Sequence, residues 1–146
     1  MKIEDFLSPT NALVDVRASD GARLIQELAA RAAASLGVDA TRIAQALAKR
    51  EALGSTGVGN GIAMPHARMP EVQKPFGMLA RLKKPIDFDA IDGAPVDIVF
   101  LLLMPAAPSE HLNVLAAVAR QLREPDRLVR LRGAGDAAAM YRELVQ

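Results

Sequence analysis

The chain has no cysteine and no tryptophan, and only two histidines, one tyrosine and four phenylalanines. Without thiols there is no disulfide framework, no thiolate zinc site and no cysteine nucleophile. The longest apolar run, residues 98–104, falls far short of the roughly 20 residues a helix needs to cross a bilayer. The opening MKIEDFLSPT carries acids and lacks an apolar h-region, so it does not read as a signal peptide. A strong charge of one sign is missing too, and a net charge of +1 argues against wholesale binding to nucleic acid. These absences predict a cytoplasmic protein without membrane insertion and without a nucleic-acid partner. One local exception is a helically spaced basic stripe, Arg120, Arg123, Arg127 and Arg130, which reads as a solvated face diluted by Glu124 and Asp126.

What is present is a chain of 146 residues, half of them hydrophobic and mostly Ala, Leu, Val and Ile, which suits a single domain over 1–146. Residues 12–16 read as a strand. From Asp20 the positions Leu24, Ile25, Leu28, Ala29, Ala32 and Leu36 form one helical stripe, closed by Gly37. Asp39 is the expected N-cap of a second helix through Ile43 and Leu47, ending near Leu53-Gly54. Residues 61–64 and 77–83 read as extended, and DIVFLLLM (97–104) as a central strand buried on both faces. A third helix capped by Ser109 and short helices over 126–132 and 136–145 complete an α/β layer arrangement with helices on both sheet faces.

The chemistry-bearing stretch is GSTGVGNGIAMPHAR, residues 54–68, in which a glycine loop runs into Pro65-His66. It is not a P-loop, because no lysine follows the glycines, and not a dinucleotide loop, because it leads into a strand instead of a helix. G-S-T-G is no nucleophile elbow. The acids Asp87, Asp89 and Asp92 lack calcium-loop spacing, and two distant histidines make no metal site, so no metal and no cofactor is expected.

His66 therefore carries the question. Met64 is pushed towards extended backbone by Pro65, which fixes its own φ, so His66 is held at a strand end. Arg50 shares the stripe of Ile43 and Leu47. It is either a cation at a helix C-terminus or a guanidinium turned towards an anion. His111, in the first turn of the third helix, is either a surface histidine or a neutral donor at an anion-binding helix start. The residues alone support an anion or phosphoryl site centred on His66. The loop positions Ser55, Thr56, Gly57, Gly59, Asn60 and Gly61 are expected to cradle the phosphate. Met64, Met69 and Arg68 are the candidates for a docking surface around that site.

Arg50-Glu51, GSTGVGNGIAMPH, DGAPVDIVFLLLMP (92–105) and EHLNVLAAVARQL (110–122) resemble the mannitol/fructose-type IIA domains of the bacterial phosphoenolpyruvate phosphotransferase system, most closely their nitrogen-regulatory branch. The resemblance implies a mixed, mostly parallel sheet flanked by helices. It implies phosphorylation of His66 on Nε2 by an HPr-like carrier, with Arg50 and His111 holding the phosphate. It also implies target proteins, among them potassium-transport proteins and sensor kinases, bound according to phosphorylation state. The absence of an attached IIB, IIC or HPr segment agrees with that regulatory role. A sugar-specific IIA component and a non-catalytic anion sensor are the alternatives.

Overall fold

A computed structural model describes residues 1–107 and 111–146, with His111 and Leu112 as helical backbone only. The expected cap at Ser109 lies outside the described residues. The strands are β1 (Ala12–Val16), β2 (Gly57–Gly59), β3 (Ile62–Ala63), β4 (His66–Met69), β5 (Phe76–Ile86) and β6 (Val96–Pro105). The helices are α1 (Gly21–Leu36), α2 (Ala40–Ala52), α3 (His111–Arg123), α4 (Pro125–Gly133) and α5 (Ala137–Val145).

The local signals act as expected. Asp20 accepts from the Arg23 amide at 2.8 Å and caps α1, which ends at Gly37 in the left-handed conformation (φ 69°). Asp39 accepts from the Thr41 amide at 2.9 Å and starts α2. The sheet runs β1-β5-β6-β3-β2, and β4 pairs with β6 beyond β3. Three of the five pairings, β1–β5, β3–β6 and β4–β6, are parallel. The longest pairing, β5–β6, is antiparallel.

β6 sits at the centre, and its alternation divides the interior in two. Val99, Leu101 and Leu103 join Leu24, Leu28, Ile43 and Leu47 beneath α1 and α2. Ile98, Phe100 and Leu102 join Val114, Val118, Leu131 and Met140 beneath α3, α4 and α5. Phe100, fully buried, meets the edge of Phe6 with ring centroids 6.3 Å apart. A near-continuous apolar strand is what two covered faces require.

Two expectations change, and the reading of the basic stripe is sharpened. The glycine stretch is no open loop: β2 and β3 form an antiparallel hairpin through Asn60 (φ 58°) and Gly61 (φ 78°). Two successive positive φ values make the type I′ turn whose twist matches flanking strands, and Asn-Gly is its preferred pair. The basic stripe is broken up, because Arg127 donates to the carbonyls of Glu143 and Leu144, and Arg130 pairs with Glu143 and Glu124. Met64 and Met69 are 5% and 2% exposed, one in each core, so neither offers a docking surface.

Candidate functional site

His66 opens β4 opposite Leu102, held there because the Pro65 carbonyl accepts the Leu102 amide at 2.9 Å. Its side chain is half-buried, while the preceding Met64 and Pro65 are buried. Nδ1 lies 2.8 Å from the Met64 carbonyl oxygen. A carbonyl only accepts, so Nδ1 carries the proton in this contact and Nε2 is left with its lone pair. Burial pushes the imidazole below its ordinary pKa, and the charges of Arg50 and Arg68 push the same way, against the Met64 carbonyl and Glu51. The ring is neutral at neutral pH, as a nucleophile must be.

Arg50, half-buried in the last turn of α2, donates from Nη1 to the Gly54 carbonyl at 2.8 Å. It therefore serves the helix end, yet its charge reaches His66. Arg68, exposed on β4, is the second cation acting on the ring. The His111 side chain lies outside the described residues.

The expected phosphate cradle separates into two groups. The Ser55 hydroxyl donates to the Phe88 carbonyl at 2.5 Å and accepts from the Gly57 amide at 3.0 Å. The Thr56 hydroxyl donates to the Glu51 carboxylate. Both hydroxyl protons are thus committed within the protein. At Gly57 a Cβ would stand 2.8 Å from the Ala90 Cβ, so this glycine serves the close approach of the 87–93 connection. Gly59, Asn60 and Gly61 turn towards Asp92, Asp97 and Arg132 instead. The Asn60 amide donates to Asp92 at 3.0 Å, Arg132 holds the Asn60 carbonyl, and Gly61 accepts from the Asp97 amide at 2.9 Å. Asp97 stands five strand positions from Leu102, the partner of His66, roughly 16 Å along β6. The turn and His66 occupy different ends of the sheet.

Glu51 is the functional candidate that residue-by-residue reasoning passed over. It stands in the Arg50-Glu51 pair, but no local pattern announces that its carboxylate takes both the Thr56 hydroxyl and, at 3.2 Å, the Thr56 amide. Among the described residues no cluster of His, Asp or Glu is assembled for a metal. A cleft of about 860 Å³ between α1 and α2 is walled by Ala44, Ala48, Phe88 and Glu51, and His66 does not line it. The arrangement offers a neutral imidazole with an unprotonated Nε2 and cations nearby. That suits nucleophilic attack on an activated phosphoryl group, or capture of an anion.

Residues 5–146 match the family model for the phosphoenolpyruvate-dependent sugar phosphotransferase system, EIIA 2. The chain is 44% identical to a nitrogen regulatory protein of Bradyrhizobium diazoefficiens over 97% of this chain and 93% of that protein. It is also 44% identical to one of Pseudomonas aeruginosa over 99% and 96%. The crystal structure of nitrogen regulatory protein IIA-Ntr from Neisseria meningitidis superposes with a TM-score of 0.92 at 31% identity, covering 97% of this chain and 98% of that one. No helix among the described residues is long and apolar enough to cross a membrane.

Proposed function

The chain belongs to the phosphoenolpyruvate-dependent sugar phosphotransferase system EIIA 2 family, and from that premise we propose that it is a phosphohistidine carrier whose phosphorylation state regulates target proteins. His66 Nε2 attacks the phosphorus of a phosphohistidine on an HPr-like donor. The new N–P bond forms as the donor's N–P bond breaks, and the donor imidazole leaves with the electron pair. The transition state is loose, so positioning and charge stabilisation supply most of the catalysis. The Met64 carbonyl, fixed 2.8 Å from Nδ1, stabilises the positive charge that grows on the ring as Nε2 is phosphorylated. Arg50 leaves the Gly54 carbonyl for the phosphoryl oxygens, joined by His111.

The observation that carries this reading is the Nδ1 contact to Met64 on a half-buried, weakly basic histidine, which presents Nε2 as the nucleophile. The names of the relatives favour the regulatory role over a sugar-specific subunit. A phosphoryl group adds about −1.5 to −2 charges at pH 7, enough to switch a docking surface, and potassium-transport proteins or sensor kinases are the proposed cytoplasmic readers. The test is mass spectrometry after incubation with phosphoenolpyruvate, Enzyme I and an HPr-like carrier. We expect one added phosphoryl group, labile in acid, stable in base and absent from His66→Ala. An unmodified wild-type chain refutes the reading. Onward transfer to a IIB cysteine would establish the sugar-specific alternative.

A further inference from the structure

Thr56 is 4% exposed, and a hydroxyl so buried must be paired. Its O–H and N–H both go to the Glu51 carboxylate, and its carbonyl accepts the Met64 amide at 2.9 Å. This last bond continues the β2–β3 ladder one pair beyond Gly57 and Ala63. The Met64 carbonyl then takes Nδ1 of His66 at 2.8 Å, and the next carbonyl, of Pro65, is held by the Leu102 amide. The Met64–Pro65 unit is therefore pinned from both ends. Pro65 adds a locked φ.

We propose that Glu51 and Thr56 are positioning residues that keep His66 in its Nδ1–H tautomer, through four hydrogen bonds running from the end of α2 to the imidazole. The inference rests on His66 Nε2 being the nucleophile. A neutral imidazole in water prefers its proton on Nε2, the nitrogen that must be free for attack. The protein has to hold the less favoured tautomer, and an oriented carbonyl is how it does so. If Thr56 loosens, the Met64 amide loses its anchor, the carbonyl swings, and the proton relaxes to Nε2. The same brace sets the Gly54–Thr56 segment whose Gly54 carbonyl holds Arg50, so one carboxylate aligns nucleophile and guanidinium together.

The test pairs imidazole ¹⁵N NMR spectra of the full chain with the rate of phosphoryl transfer from a loaded HPr-like carrier. The variants are Thr56→Ser, Thr56→Val, Glu51→Gln and Glu51→Ala, with folding checked by circular dichroism. Wild type and Thr56→Ser should show the Nδ1–H pattern, with rates within about 3-fold of each other. Thr56→Val and Glu51→Ala should gain the Nε2–H pattern and lose roughly 10- to 100-fold in rate, the range expected of a misplaced reacting group. Glu51→Gln, which keeps an acceptor, should fall between. A folded Thr56→Val with the wild-type tautomer overturns the proposal, as does a Thr56→Ser that fails as badly as valine. If Glu51→Ala does not fold, Thr56→Val decides alone, since it removes one hydroxyl and keeps the shape. A wild-type chain that never accepts phosphate would sink the carrier reading, while the tautomer spectra would still judge the brace.

Discussion

Replacing Arg50 by lysine keeps the charge at the end of α2 and removes the planar fork. If Arg50 served only the helix end, lysine would do nearly as well. The lost bond from Nη1 to the Gly54 carbonyl is solvent-accessible, and such a bond contributes about 1 kcal/mol or less. The cation's effect on the helix dipole, about 0.3–1 kcal/mol, survives the change. Stability should therefore fall by no more than about 1 kcal/mol. Transfer should fall much further, because an ammonium cannot hold two phosphoryl oxygens in fixed geometry. Losing one preorganised donor costs about 2–4 kcal/mol of transition-state stabilisation, or roughly 30- to 1,000-fold in rate. The assay is rapid-quench transfer from the loaded carrier, beside urea unfolding of the same preparations. A pH series separates charge from geometry. Arg50 lowers the pKa of His66, so Arg50→Gln should move the acid limb of the rate profile to higher pH, and Arg50→Lys should leave it in place. Wild-type rates in the lysine variant would show that Arg50 acts only as a helix-end cation.

His66→Ala should abolish phosphoryl uptake and cost only about 1 kcal/mol, the value of one half-exposed hydrogen bond. Because folding lowers the His66 pKa from 6.5, the unfolded chain binds the proton first. Wild-type stability should then decline as pH falls from about 6.5 towards the lowered value, a slope that His66→Ala lacks; urea midpoints that rise on acidification would contradict the sign. Gly57→Ala should destabilise by about 1–3 kcal/mol, since its Cβ would meet the Ala90 backbone at 2.9 Å, and an unchanged thermal midpoint would disprove that close approach. Arg68→Glu should slow association with the donor, more so at low salt. A salt-independent wild-type rate would remove this exposed arginine from the interface. His111→Ala should slow transfer by roughly 10- to 1,000-fold with partial recovery in His111→Gln; equal rates in all three would exclude His111 from the site.

Much of this molecule was legible residue by residue because its signals are local. Asp20, Gly37 and Asp39 set helix ends through bonds and φ values within a few positions. The run in β6 declared a doubly covered strand, since only such a strand tolerates apolar residues on both sides. Met64-Pro65-His66 placed the histidine at a strand end through the stiffness of proline alone. Asn60-Gly61 was equally local evidence for a hairpin, obscured by the glycines around it. The partners of side chains are another matter, because they come from elements far apart in the chain. That Met64 and Met69 point into opposite cores follows from β4 lying against β6, with α1 and α2 on one face and α3 to α5 on the other. That Arg127 and Arg130 are spent on Glu143 follows from α4 packing beside α5. The Glu51 carboxylate meets Thr56 only five residues on, but the pairing depends on how the chain turns from α2 into the hairpin, which no residue type announces. Residue type and spacing singled out His66 as the candidate nucleophile. The tertiary structure decided which of its nitrogens carries the proton, because that depends on where one carbonyl is made to point.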